Sequence, residues 1–120
     1  AASLGVDAII VSNHGGRQLD GAPASIEVLP EIVSRVSGAC EVWLDGGIRS
    51  GQDVFKAKAF GADATLIGKA FLNGLGAMGK AGVTQCLEII EKELDLTMAF
   101  CGKTQLSEVR GDVIYTVANN

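Results

Sequence analysis

The sequence predicts an α/β fold in which about three βα units share one parallel sheet. Three short blocks of apolar and β-branched residues recur along the chain, near residues 7–12, 41–44 and 64–67. Each block is followed by a glycine-containing loop and then by a segment with helical periodicity. A strand–helix–strand repeat of this kind favours parallel strands joined by right-handed crossovers.

The first predicted helix follows the loop after the first strand. Ser25 is the expected N-cap, and Pro30 is expected at the first position of the regular part, where its missing N–H costs nothing. The helix should end near Ser37 and Gly38. The residues expected to face the sheet are Ile32, Val33 and Val36.

The second and third helices have clearer sequence signals. Ser50 is followed three residues later by Asp53, which is the spacing of a capping box, and Gly61 should stop this helix. The third helix is expected to be the longest, because its apolar residues recur at three- and four-residue spacings. Those apolar residues are Val83, Cys86, Leu87, Ile90, Leu94 and Met98.

Composition excludes several classes of protein. The 10 Lys and Arg against 14 Asp and Glu give a net charge of -4, so a broad basic surface for a nucleic acid is not expected. Apolar blocks are far shorter than the run of about 18 residues that spans a bilayer. The three cysteines lack metal-binding spacing and fit reduced thiols, which predicts a cytoplasmic protein without a metal site, membrane-associated only through parts outside this chain.

The chain length bears on the architecture. A complete (β/α)8 barrel takes roughly 250 residues, and this chain has 120. Residues 1–5 resemble the last turn of a helix with its terminal glycine, so we expect the chain to be part of a longer protein. The βα units should occupy residues 1–109 and a C-terminal tail residues 110–120. Three parallel strands, expected to be buried on both faces, would then need a covering from elsewhere.

The loop after the first strand has the strongest functional pattern. Within Ser12–Asp20, His14 and Arg17 lie three residues apart, separated by two glycines. An imidazole titrates near neutral pH and suits proton removal, whereas a guanidinium matches a carboxylate with two hydrogen bonds. Because ligands bind where parallel strands end, this pair predicts a site for a small anionic substrate that loses a proton.

The loops after the second and third strands predict a phosphate site. Paired glycines let backbone N–H groups approach an anion, and each loop also has a cationic residue. In many barrels the phosphate lies between the last two such loops and a short additional helix, which the residues after Lys69 could form. The predicted phosphate and cofactor residues are Asp45, Gly46, Gly47, Arg49, Gly68 and Lys69.

These segments together resemble one known family. Val11–Gly21, Leu44–Gly51 and Leu66–Phe71 are similar to the corresponding stretches of the FMN-dependent α-hydroxy-acid dehydrogenases and oxidases, which include glycolate oxidase, L-lactate dehydrogenase and mandelate dehydrogenase. The similarity runs from about residue 5 to residue 109 and includes Leu96–Gly102. The segment with sequence SNHGGRQLD, ahead of DGGIR, is the most specific part.

The resemblance implies a fold, a reaction and a role for each residue. The chain would be the C-terminal part of a (β/α)8 (TIM) barrel that oxidises a small 2-hydroxy acid with FMN, in a homo-oligomer. His14 would be the active-site base and Arg17 would bind the substrate carboxylate. The ribityl chain and phosphate of FMN would contact Asp45–Gly47, Arg49, Gly68 and Lys69. The family commonly has arginine in place of Lys69, so one bidentate phosphate contact would become a point charge.

Two other interpretations stay open. A different phosphate-binding (β/α)8 flavoenzyme would share the two glycine-rich loops but not the pairing of His14 with Arg17. An inactive fragment could instead act as an interaction module, with its open strand edges covered by a second copy.

Overall fold

The computed structural model describes residues 2–115. Three strands alternate with three helices, and short 3-10 turns occupy some of the connections. The strands are β1 (Ala8–Val11), β2 (Glu41–Asp45) and β3 (Ala64–Leu66), and the helices are α1 (Ser25–Val36), α2 (Gly51–Ala59) and α3 (Lys69–Phe100). The 3-10 turns are Ala2–Leu4, His14–Gly16, Leu106–Glu108 and Gly111–Val113.

The sheet is parallel, with the strand order β1-β2-β3. Ile10 is paired with Trp43, and Trp43 is paired with Ala64. Within residues 2–115, β1 and β3 each pair on one side only. The prediction of three parallel strands is confirmed, with bounds that differ by a residue at several ends.

One face of the sheet carries the main core. Val42 and Leu44 of β2 both point to this face and are nearly fully buried. They pack with Leu29 of α1 and Ala57 of α2. The opposite face is open in the described part of the chain, where Ile10 is 49% exposed. Because α1 and α2 both lie on the other side of the sheet, nothing in the described chain covers this face, and its covering from outside the chain stays a prediction.

Helix α1 corrects two sequence predictions. Its N-cap is Ala24, and Ser25 is the first helical residue, with its side chain buried. The carboxylate of Glu27 accepts the N–H of Ala24 at 3.0 Å, so the entry of the helix is capped by a side chain from inside it. Pro30 lies inside the helix and not at its start. Its ring is exposed, and the helix gives up one internal hydrogen bond there.

The predicted ends of α1 and α2 are confirmed. Ser37 and Gly38 have left-handed backbone conformations directly after α1. Ser50 caps α2 through its hydroxyl, which accepts the N–H of Asp53 at 3.2 Å, and the Asp53 carboxylate accepts the N–H of Ser50 at 3.1 Å. Gly61 follows α2 with a φ of 98°.

Helix α3 joins two predicted segments. Lys69–Phe100 consists of two helical segments that meet at a kink at Met78 and Gly79, where the backbone is not helical. The part before the kink is the additional helix expected after Lys69. Ile90 and Met98 are buried as predicted, whereas Leu87 is 48% exposed. Leu87 was expected to face inward, and in the described chain its side of the helix has no element packed on it.

The segment after α3 packs against α2. Val109 is fully buried in a second cluster with Phe55, Ala59 and Met98, and Val113 and Ile114 border this cluster. Residues 116–120, in the predicted tail, lie outside the described residues. No helix in residues 2–115 is long and apolar enough to cross a membrane.

Candidate functional site

The ends of the three strands meet at a cleft of about 530 Å³. The loops after β1, β2 and β3 form its walls, because the carboxyl ends of parallel strands lie at one edge of a sheet. All of the site residues predicted from the sequence line this cleft. They are His14, Arg17, Asp45, Gly46, Gly47, Arg49, Gly68 and Lys69.

The loop after β1 has an unusual backbone. His14 has a φ of 54°, and it is followed by Gly15 at 68° and Gly16 at 72°. A residue with a Cβ rarely adopts the left-handed region, and such positions concentrate at functional sites. The side chain of Asn13 holds this loop, since its amide oxygen accepts the N–H of Gly16 and its amide nitrogen donates to the carbonyl of Pro23, both at 3.1 Å.

A second side chain links this loop to the next strand. The hydroxyl of Ser12 donates to Oδ2 of Asp45 at 2.6 Å and accepts the N–H of His14 at 3.1 Å. Sequence reasoning assigned no role to Ser12 or Asn13. Their position directly after β1 could have identified them. Polar side chains at the carboxyl end of a strand point toward the edge of the sheet where ligands bind, or toward the loops that form this edge.

The loop after β2 depends on two glycines. Gly46 has a φ of 102° and Gly47 a φ of 81°. A Cβ at Gly46 would also lie 3.2 Å from Oγ of Ser25. The left-handed backbone and the contact with α1 therefore both favour glycine at Gly46. Arg49 follows this loop and is exposed at the cleft.

The N-terminus of α2 is already occupied by carboxylates. Oδ2 of Asp53 accepts the N–H groups of Arg49 and Ser50, each at 3.1 Å. Oε2 of Glu93 accepts the N–H of Gly51 at 2.9 Å. These N–H groups are the ones that an anion at a helix N-terminus would use. These three N–H groups are therefore not free to bind an anion in the cleft.

The N-terminus of helix α3 has no capping side chain. Its N-cap is Gly68, which has no side chain to accept the first N–H groups, and Lys69 is the first helical residue. A helix N-terminus without a capping side chain is a natural anion site, because its N–H groups and its dipole both favour negative charge. Arg49 and Lys69 are both exposed at the cleft. The phosphate site expected between the last two loops stays a prediction, to which this helix start and these two cations are relevant.

The cleft also contains apolar residues that the sequence did not single out. Ile26, Ile48, Leu66 and Leu72 contribute to its lining. Ile48 is buried, whereas Leu72 is 54% exposed. Among residues 2–115, no three His, Cys, Asp or Glu side chains are grouped closely enough to hold a metal ion.

Comparison with protein families and sequences gives a consistent match. Residues 1–116 match the family model described as FMN-dependent dehydrogenase. The chain is 54% identical over 109 residues to L-lactate oxidase of Nostoc sp., which covers 91% of this chain and 30% of that protein. It is 55% identical over 102 residues to 2-hydroxyacid oxidase 1 of Mus musculus, covering 85% of this chain and 28% of that protein.

Solved structures agree with the sequence matches. Mandelate oxidase with benzoyl-formic acid superimposes with a TM-score of 0.87 at 50% identity, over 90% of this chain and 32% of that one. The chain thus spans about 30% of the length of the relatives it matches. Since the family model matches nearly the whole chain, this chain belongs to the FMN-dependent dehydrogenase family.

Proposed function

We propose that this chain forms the phosphate side and the substrate-anion side of an active site that oxidises a small 2-hydroxy acid with FMN. It would supply the C-terminal three βα units of a (β/α)8 barrel, with the units in residues 1–109 and a tail in residues 110–120. The names of its relatives, L-lactate oxidase and 2-hydroxyacid oxidase, support this class of substrate. The observation that carries the proposal is that His14, Arg17 and the two glycine-rich loops open onto one cleft.

The residues present fit the phosphate and ribityl parts of FMN. The start of α3 at Gly68 and Lys69, together with Arg49, would hold the phosphate. Asp45, Gly46 and Gly47 would face the ribityl hydroxyls, because a carboxylate accepts hydrogen bonds from them and left-handed glycines allow close backbone approach. When bound, FMN supplies the acceptor for the two electrons removed from the substrate.

Arg17 and His14 would have different roles toward the substrate. The guanidinium of Arg17 would bind the carboxylate through two hydrogen bonds and so fix the orientation of the 2-carbon. The imidazole of His14 would accept the proton that leaves as the 2-hydroxy acid becomes a 2-oxo acid. Both side chains are exposed at the cleft, where a substrate can reach them.

Two further proposals concern the protein as a whole. Cys40, Cys86 and Cys101 are free thiols, which supports a reducing, cytoplasmic location. The open edges of β1 and β3 support an assembly in which the other strands of the barrel complete the sheet. Separately, we propose that the complete barrels form a homo-oligomer.

The test measures flavin reduction in a complete barrel. One such protein is a chimera in which this chain replaces the matching segment of the Nostoc L-lactate oxidase, to which it is 54% identical. We expect the FMN-loaded protein to be reduced anaerobically by L-lactate, glycolate or mandelate. His14→Ala should retain FMN and slow reduction by about 10²–10⁴-fold, since the base acts on the substrate.

Ser34→Ala is the matched control, because Ser34 is exposed on α1 away from the cleft. It should reduce at the rate of the unsubstituted protein. A His14→Ala protein that is reduced at that same rate would contradict the role of His14. A loaded, unsubstituted protein that no 2-hydroxy acid reduces would contradict the function itself.

A further inference from the structure

We propose that Ser12 is a positioning residue, which holds the main chain of His14 and the carboxylate of Asp45 in one fixed relation. The inference deepens the proposed function and rests on it for the roles of His14 and Asp45. It concerns how the end of β1 is coupled to the end of β2.

The hydrogen bonds of Ser12 have a defined direction. A serine hydroxyl has one proton to donate and lone pairs to accept with. Its proton goes to Oδ2 of Asp45 at 2.6 Å, a short distance typical of a hydroxyl donating to a carboxylate. Its oxygen accepts the N–H of His14 at 3.1 Å. One side chain therefore joins the proposed base to the proposed ribityl-binding carboxylate.

The backbone of His14 needs such a restraint. Its φ of 54° is left-handed, and Ser37 is the only other residue with a side chain that has a positive φ in residues 2–115. This conformation is disfavoured for residues with a Cβ and persists where surrounding contacts fix it. Ser12 binds the N–H of His14, while Asn13 binds the far end of the turn through Gly16.

Loss of the Ser12 hydroxyl should therefore affect the rate of the reaction and leave the affinity for the substrate nearly unchanged. Without the Ser12 hydroxyl, His14 would lose the contact on its N–H and Asp45 would lose a donor. A displacement of about 1 Å in a catalytic group can cost on the order of 10²-fold in rate. No hydrogen bond in the described chain joins Ser12 to Arg17, so anchoring of the substrate carboxylate should persist.

The test compares Ser12→Ala, Ser12→Thr and Ser12→Cys in the FMN-loaded protein, with Ser34→Ala as the control. We expect Ser12→Ala to lower the limiting rate of anaerobic flavin reduction by about 10–100-fold. The dissociation constant of L-lactate should change by less than about threefold, well within the tenfold that corresponds to 1.4 kcal/mol. Ser12→Thr, which keeps a hydroxyl, should restore most of the rate, and Ser12→Cys, whose thiol is a weak donor, should not.

A second readout does not depend on activity. Hydrogen exchange at the His14 amide should be faster in Ser12→Ala than in the unsubstituted protein, and near normal in Ser12→Thr. Unchanged exchange in Ser12→Ala would overturn the proposal, as would equal rate losses in the Thr and Ala variants. If Ser12→Ala does not fold, full activity of Ser12→Cys would have the same effect.

The exchange measurement also separates this proposal from the proposed function. A protein that no 2-hydroxy acid reduces would end the functional proposal. Exchange at His14 would still decide whether Ser12 restrains the loop.

Discussion

The N–H of Gly51 donates to Oε2 of Glu93 at 2.9 Å, which joins the first turn of α2 to the C-terminal half of α3. The two helices touch closely here. A Cβ at Gly51 would lie 2.1 Å from the backbone nitrogen of Leu94 and 2.5 Å from the carbonyl oxygen of Ile90. Because these are main-chain atoms of a long helix, they cannot move aside without shifting α3. The contact lies two residues beyond Arg49, which lines the cleft.

We therefore expect Gly51→Ala to destabilise the chain by about 1–3 kcal/mol, the usual cost of overpacking a tight contact. Gly76→Ala is the matched control, since Gly76 lies in α3 and a Cβ there would meet nothing within 4 Å. Alanine at Gly76 should be neutral or slightly stabilising, because it favours the helix. Urea unfolding of both variants provides the measurement. Equal stability of the two would show that the contact between α2 and α3 is looser than these distances indicate.

Arg17→Lys should impair the reaction far more than its retained charge suggests. A planar guanidinium offers two parallel hydrogen bonds to a carboxylate, whereas an ammonium offers a point charge, so the substrate would lose its orientation. We expect kcat/KM with L-lactate to fall by more than tenfold, with FMN still bound. Arg35→Lys is the control, because Arg35 is exposed on α1 and pairs with Glu31 away from the cleft. A change of less than about threefold in Arg17→Lys would remove Arg17 from the role of carboxylate ligand.

Because of Glu108, the stability of the chain should decrease at acid pH. The N–H of Thr104 and then that of Gln105 lower the pKa of the Glu108 carboxyl below its ordinary value. Because the pKa of Glu108 is lower in the folded state than in the unfolded state, its ionised carboxylate stabilises the fold. This stabilisation is fully present above the unfolded-state pKa and is lost as pH falls through the folded-state pKa. The loss should thus occur below about pH 4.3, the ordinary pKa of Glu.

The measurement for Glu108 is unfolding as a function of pH. The stability difference between the unsubstituted chain and Glu108→Gln should be present at pH 7 and shrink below about pH 4. Glu88→Gln, at an exposed position on α3, is the control and should show no such difference. A difference between Glu108→Gln and the unsubstituted chain that stays constant down to low pH would contradict the assignment.

Sequence patterns predicted the parts of this fold that depend on local rules. The strands, the Ser50 cap and the end of α1 at Ser37 all follow from turn chemistry and apolar periodicity, and the strand-end rule placed His14 and Gly68 at one cleft. The bonds of Ser12 to Asp45 and of Gly51 to Glu93 join distant segments and depend on packing. Pro30 was misplaced because a capping carboxylate from Glu27 lets α1 begin before the proline.

Last, we expect the 120-residue chain purified alone to self-associate and to lack hydroxy-acid oxidising activity. The edges of β1 and β3 are unpaired in the described part of the chain, and Ile10 lies 49% exposed on the open sheet face. Unpaired edges and exposed apolar faces both promote association. Ile10→Lys should reduce association in sedimentation experiments, whereas Leu4→Lys, at a residue 82% exposed outside the sheet, should not.

The cleft has the proposed phosphate loops, but this chain spans only 30% of the length of the Nostoc relative, so the rest of the flavin pocket should be missing. A monomeric chain whose added FMN is reduced rapidly and stoichiometrically by L-lactate would show that these three βα units suffice for the reaction.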